Sequence, residues 1–516
     1  MKFLILILLF SSCSFFQATN RSTSSAKSLA PYYNSWNDGF YLDQTSANVD
    51  VSMDQLKEIY QTSSSLDQFI KRMISVDLNR NYQKQQAYEV VTQKLFALKK
   101  HIRLNKSLKD MSEEYGKAVN TLAEETLYIM YLKFPNRDPI YKQVYSSGDI
   151  KKSCIYKGKK RLGHLHKIPI CQGDIFASKG RGGSSSLLAT MNGTAGNYSH
   201  STLSYVPKSG KKKVYLIEAF TEDGVKLRDS NTYYGKVKMT KFSVFRYINK
   251  SSKIVKDYRQ QSIEAVDQFI DQMKTNVGNH PKSSGKPLKD IQNIASFPYD
   301  FSMQTSDSNK FYCSEVPYVI FRDYVTNSQF NPYPEDSWSD FTPQMDILVD
   351  FMGFESEQIP APADIEENSS YDNIAIVYNL SALQQDRFDL AMIDVLMESL
   401  NSNSDFSKKL VGLFKSFQRL EPKQILSMIM NSGLVEKKTL DQFANQIPDG
   451  ITANQIILFG LLDKVITPKL RVIMKVEEDR YIKRYGKPFG LDYLRIKQLE
   501  SFQKVIGELS KTNLFR

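Results

Sequence analysis

Phe311-Tyr312-Cys313-Ser314-Glu315 runs directly into Val316-Pro317-Tyr318-Val319-Ile320-Phe321-Arg322-Asp323-Tyr324. The pattern predicts a helix over 315–324. Proline is tolerated inside a helix only in the first turn, so Pro317 puts Cys313 at the helix start. A thiol at a helix N-terminus loses its proton more readily, because the dipole and the free N–H groups favour the thiolate. A cysteine nucleophile also needs a base, usually His, and a third group that orients the His. Both must come from elsewhere in the chain.

Histidine is scarce, with five in 516 residues: His101, His164, His166, His200 and His280. His101 lies in a helix-patterned stretch and His280 in a polar Gly/Ser/Pro loop over 279–288. His200 opens the strand-like run His200-Ser201-Thr202-Leu203 and is the best placed. A second such run, Val214-Tyr215-Leu216-Ile217, follows, and Ser209-Gly210 between them is a turn signal. A hairpin centred on Ser209 sets residues whose numbers sum to 418 opposite each other, as His200 and Glu218 do. Directly opposite residues have Cβ atoms about 5 Å apart. Glu218 is therefore the expected orienting group, although a one-residue slip turns it to the other face.

Five short segments occur in a fixed order: Gly173-Asp174-Ile175-Phe176, then Tyr198-Ser199-His200, then Glu218-Ala219 ahead of Gly224-Val225, then Tyr299-Asp300-Phe301, then Tyr312-Cys313-Ser314-Glu315. This order resembles the permuted papain-like hydrolases, the YiiX-like branch of the NlpC-type fold, in which the His strand precedes the Cys helix. The resemblance covers about residues 170–345, a third of the chain. It implies Cys313 as nucleophile, His200 as base and Glu218 in the polar third position, with Asp174 structural at a turn. The chain departs from the pattern in the long Gly/Ser-rich stretch from Lys179 to Asn197 and in the insertion between Lys250 and Pro298. Both are expected to lid or narrow a cleft. Gly180-Arg181-Gly182-Gly183-Ser184 lacks the Gly-Lys-Ser/Thr ending of a phosphate loop and reads as a flexible loop.

The N-terminus reads as an address. Met1-Lys2 precedes eight apolar residues, Phe3 to Phe10, then Ser11, Ser12 and Cys13. That is the order of a secretory signal, residues 1–12. It also resembles a bacterial lipobox with Cys13 as the lipidated residue and Phe10 in place of the usual aliphatic. Ser14 after the cysteine implies the outer membrane. Residues 13–50, rich in Ser, Asn and Thr, then serve as a tether. Of the three other cysteines, Cys154 and Cys171 have three readings. They pair as a disulfide, they join His164 and His166 around zinc, or they stay as two buried thiols. The zinc spacing matches no compact finger.

Length and composition frame the rest. At roughly 150 residues per domain, 516 residues suggest about three. With 41% hydrophobic and 24% charged residues the chain can bury a core. Lys and Arg number 68 against 56 acids, a net charge of +12. Basic runs around Lys151–Arg161 and Lys211–Lys213 form either a solvated face or a surface attracted to anionic envelope polymers. Nucleic acid is excluded as a partner by the predicted export.

The expected fold class is α+β. A central papain-like domain over 149–380 carries an antiparallel sheet and the nucleophile helix. Helical regions flank it at 51–148 and 381–516. The first flank shows stripes at helical spacing (Leu56, Ile59, Tyr60; Tyr115, Val119, Leu122), as does the second (Leu383, Phe388, Met392, Val395, Leu396, Leu400). Ile374 to Tyr378 is expected to rejoin the sheet. The function expected is an exported, lipid-anchored cysteine hydrolase of the bacterial envelope. It would cut an amide or peptide bond, with cell-wall peptide as substrate, through a thiol acyl-enzyme and without a cofactor or metal. The alternatives are an esterase or thiol acyltransferase acting on lipid acyl groups, and a scaffold lipoprotein whose helical flanks bind a protein partner.

Overall fold

A computed structural model describes residues 53–63, 68–69, 72–73, 85–104, 109–145, 154–156, 159–191, 197–208, 213–221, 224–236, 238–248, 251–305, 309–335, 338–340, 358–400, 408, 463 and 466–509. The signal peptide, Cys13, the tether and the Ser209-Gly210 turn lie outside them.

The longer strands among the described residues are β1 (Ile140–Val144), β2 (Leu162–Leu165), β3 (Ile168–Cys171), β4 (Ile175–Lys179), β5 (His200–Tyr205), β6 (Tyr215–Phe220), β7 (Gly224–Asp229), β8 (Lys241–Tyr247) and β9 (Tyr371–Asn379). The longer helices are α1 (Met53–Thr62), α2 (Gln85–Leu104), α3 (Lys109–Lys133), α4 (Gly183–Met191), α5 (Ser252–Gly278), α6 (Pro287–Asn293), α7 (Glu315–Tyr324), α8 (Leu383–Leu400), α9 (Thr467–Tyr485) and α10 (Leu491–Leu509). Seven strands form one antiparallel sheet in the order β1-β9-β8-β4-β5-β6-β7, and helices lie at both ends of the chain. The fold is α+β, as expected.

Strand alternation sorts the side chains onto two faces. Ile175, Ala177, Leu203, Ile217, Ala219, Leu227 and Phe245 pack with α5 and α7 in the main core. Phe176, Leu216, Phe242, Val244 and Val377 face the other way, under the β2–β3 hairpin and Tyr234. The insertion after Lys250 is part of this core and not a lid. Its α5 buries Val266, Phe269, Ile270 and Met273, and the Tyr258 ring stacks on Tyr247 at 4.6 Å. Such ring pairs contribute about 0.5–1.5 kcal/mol beyond their burial. Gly224 is required where it stands: its φ is +64°, and a Cβ there would lie 2.3 Å from the Phe297 carbonyl oxygen.

Two further expectations change, and one choice left open is settled. β1 lies inside the stretch read as helical and is an edge strand, paired with β9. The Gly/Ser-rich stretch after Lys179 is not all loop: α4 buries Leu187 and Ala189 and packs on α8. Cys154 and Cys171 form a disulfide, with Cα atoms 5.2 Å apart. That removes the zinc reading, since His166 Nε2 bonds instead to the Tyr234 carbonyl at 2.9 Å. The disulfide closes a loop of sequence separation 17, which should stabilise by roughly 3 kcal/mol. Replacing both cysteines by alanine is expected to cost that much in urea unfolding. Equal midpoints for the oxidised and substituted chains would contradict it.

The helical ends are not separable appendages. Lys179 and Lys241 sit directly opposite each other on β4 and β8, both fully buried. Like charges at that position repel. Each is neutralised from a different flank: Lys241 by Glu124 of α3 at 2.8 Å, and Lys179 by Asp386 of α8 at 2.7 Å. Arg387 joins the flanks to each other. It donates to Glu125 at 2.6 Å, to Glu478 at 2.8 Å and to the Phe489 carbonyl at 2.8 Å. The basic stretch is likewise partly internal: Arg161 is buried and pairs with Asp267.

Candidate active site

Cys313 lies in the turn just ahead of Ser314, which caps α7, with Pro317 in the first turn as expected. The sheet brings the two other residues to it. His200 is the first residue of β5, and Glu218 lies in β6. His200 Nε2 is 3.2 Å from Glu218 Oε2, which leaves Nδ1 as the ring nitrogen available to the thiol. The Cys313 sulfur lies 3.9 Å from the Ser199 carbonyl, and His200 is the neighbour that does most to lower the thiol. Cys313 is 9% exposed and Glu218 fully buried, so these charges interact away from bulk water, where they are worth more.

The electrostatics follow from those contacts. Burial alone would push the His200 imidazolium down. Hydrogen bonds and charge from Cys313 and Glu218 outweigh it and raise His200 to about 9. Burial would likewise push the Cys313 thiol up. His200, together with the backbone N–H groups of Ser201 and Ser314, brings it below its ordinary value. Both shifts run in the direction that favours a thiolate beside an imidazolium.

The Glu218 contact is reached by a different register from the one expected. Leu203 pairs with Ile217, Ser204 with Leu216 and Tyr205 with Tyr215, so opposite residues sum to 420 and not 418. The shift is of two residues, which preserves the face. Glu218 becomes a diagonal neighbour of His200, within reach for a long side chain. Phe220 takes the nearer place, its ring centroid 4.7 Å from that of His200.

The surroundings hold these residues in place. Asp174 is structural, as the resemblance implies: it accepts from the Cys171 N–H at 2.8 Å and pairs with Arg246 at 2.6 Å. Asp300 accepts from the backbone N–H groups of Ser302 and Gln304 and shapes the loop ahead of Cys313. Ser199 is fixed through its hydroxyl, 2.6 Å from that of Ser185 on α4. Tyr198 is tied to Ser243 at 2.6 Å and to Glu366 at 3.3 Å, and Glu366 in turn meets Lys99 of α2. The N-terminal helices thus brace the strand that carries His200.

Sequence reasoning overlooked Arg228, whose Nε is 3.0 Å from Glu218 Oε1. A signal for it existed. Asp223-Gly224 is a hairpin dipeptide, and the β6–β7 register pairs Glu218 with Lys226, two residues before Arg228. It also overlooked Tyr333, whose hydroxyl is 2.7 Å from that of Ser201. Among the described residues no cluster of His, Cys, Asp and Glu is arranged to hold a metal ion. No protein-family model, curated protein or solved structure matches the chain.

Proposed function

We propose that the chain is a papain-like cysteine hydrolase that cleaves an amide or peptide bond through a thiol acyl-enzyme. One observation carries this reading: a turn ahead of a helix brings Cys313, and two strands bring His200 and Glu218, to one place, with His200 bonded to Glu218 and lowering the thiol. The Cys313 thiolate attacks the carbonyl carbon, and backbone N–H groups at the start of α7 stabilise the developing oxyanion. The C–N bond breaks as the His200 imidazolium gives its proton to the leaving amine. Water then attacks the thioester while neutral His200 takes a proton from it. Collapse releases the carboxylic acid and restores thiolate and imidazolium. Glu218 keeps the ring oriented throughout.

The N-terminal signal and Cys13 support an exported, lipid-anchored enzyme of the bacterial envelope, the wrong place for nucleic acid and the right one for cell-wall peptides. The disulfide agrees with an oxidising compartment. The test uses the full-length chain in detergent, offered p-nitrophenyl acyl esters and the matching anilides. Intact mass is expected to show one acyl group on Cys313, absent in Cys313→Ala. No adduct from either class, together with an ordinary thiol titration, would overturn the reading.

A further inference from the structure

Glu218 has two carboxylate oxygens, and the His200 contact uses only Oε2. Oε1 faces Arg228 Nε at 3.0 Å, close enough for an ion pair although not aligned as a hydrogen bond. Glu218 is fully buried, whereas the Arg228 side chain is 31% exposed. A buried carboxylate is costly without a countercharge. His200 is a cation for only part of any proton-transfer cycle. Arg228 is a cation throughout.

A second contact fixes the geometry. The Phe220 ring contacts both partners of Glu218: its centroid is 4.7 Å from the His200 ring and 4.6 Å from Arg228 Cζ. The register accounts for the arrangement. Glu218 pairs with Lys226 across β6 and β7, and Arg228, two residues on, shares the face of Lys226. His200, Glu218, Phe220 and Arg228 therefore form one layer across three adjacent strands. Cys313 approaches from the turn ahead of α7, and Lys226 faces Glu218 from β7.

We propose that Arg228 is a positioning residue of this site: it holds Glu218 through Oε1, and Glu218 with Phe220 holds the His200 ring with Nδ1 toward Cys313. The inference rests on the Cys-His reading above. Arg228 touches no reacting atom and acts only through Glu218 and Phe220.

The experiment measures the pH dependence of Cys313 alkylation by iodoacetamide in the full chain, with Tm recorded for each variant. Arg228→Met is expected to slow alkylation at pH 6.5 by about tenfold, the lower end of what outer-shell partners contribute. Arg228→Lys keeps the charge and should recover part of the loss. Lys213→Met removes a neighbouring cation that pairs with Asp229 and should leave the profile unchanged. In Glu218→Gln the route is already cut, so adding Arg228→Met should cost little more; independent effects would instead multiply. A profile for Arg228→Met that superimposes on the parent, or full additivity with Glu218→Gln, overturns the proposal. A parent chain whose thiol titrates independently of His200 overturns the underlying hydrolase reading instead, so the two failures are distinguishable.

Discussion

His200→Ala is expected to slow alkylation of Cys313 at pH 6 by about 10- to 100-fold and to reduce turnover by two to four orders of magnitude, roughly what general-base catalysis supplies. The sign follows from the balance at the sulfur. Burial raises the thiol, and it is chiefly His200 that reverses this. Without His200 burial dominates, and the thiol should titrate at or above the free value of about 8.5. In the parent chain the thiolate–imidazolium pair should persist from the lowered thiol value up to about 9, where His200 loses its proton. Turnover should then fall on the acid side as the thiolate is protonated. It should fall near pH 9 as the leaving amine loses its proton donor. Alkylation, which needs no acid, should persist above pH 9. A profile indifferent to His200 would sink the catalytic pair.

Asp386→Ala is the second large effect, expected to cost about 3–5 kcal/mol in unfolding free energy. It leaves Lys179 buried and without its partner on α8, and a broken buried pair costs on that scale. The double substitution Lys179→Met with Asp386→Leu removes both charges and should return to within ~1 kcal/mol of the parent. Urea unfolding of the three chains measures this. Deleting 51–134 should be more severe still. It removes Glu124 from Lys241 and Lys99 from Glu366, together with the α2 and α3 core on which Ile376 and Tyr378 pack. An Asp386→Ala chain as stable as the parent would show that the pair is not what joins α8 to the sheet.

The parts of this molecule set by local chemistry were legible in the sequence. Pro317 placed the helix start beside Cys313. The apolar run at Ile374 to Tyr378 rejoined the sheet as expected. Turn chemistry was legible only to within two residues, and Glu218 kept its contact because an even shift keeps the face. What was hidden depends on distant partners. Gly183–Met191 has a loop-like composition, and its helix leans on α8 and on Asp463, which accepts from the Ser184 N–H at its first turn. The pairing of Lys179 with Asp386 spans about two-fifths of the chain and leaves no local periodicity. Arg228 was hidden for a smaller reason: the second hairpin was never put into register.

The opposed lysines of β4 and β8 also dictate an order of events during synthesis. Glu124 is made before either lysine, but Asp386 lies far downstream of both. At roughly 5–20 residues per second, Asp386 follows Lys179 by about 10–40 s. Through that interval Lys179 has only Glu124 to face its charge, a carboxylate it shares with Lys241. The charge balance of these two strands is therefore completed late, only after the segment carrying Asp386 has been made.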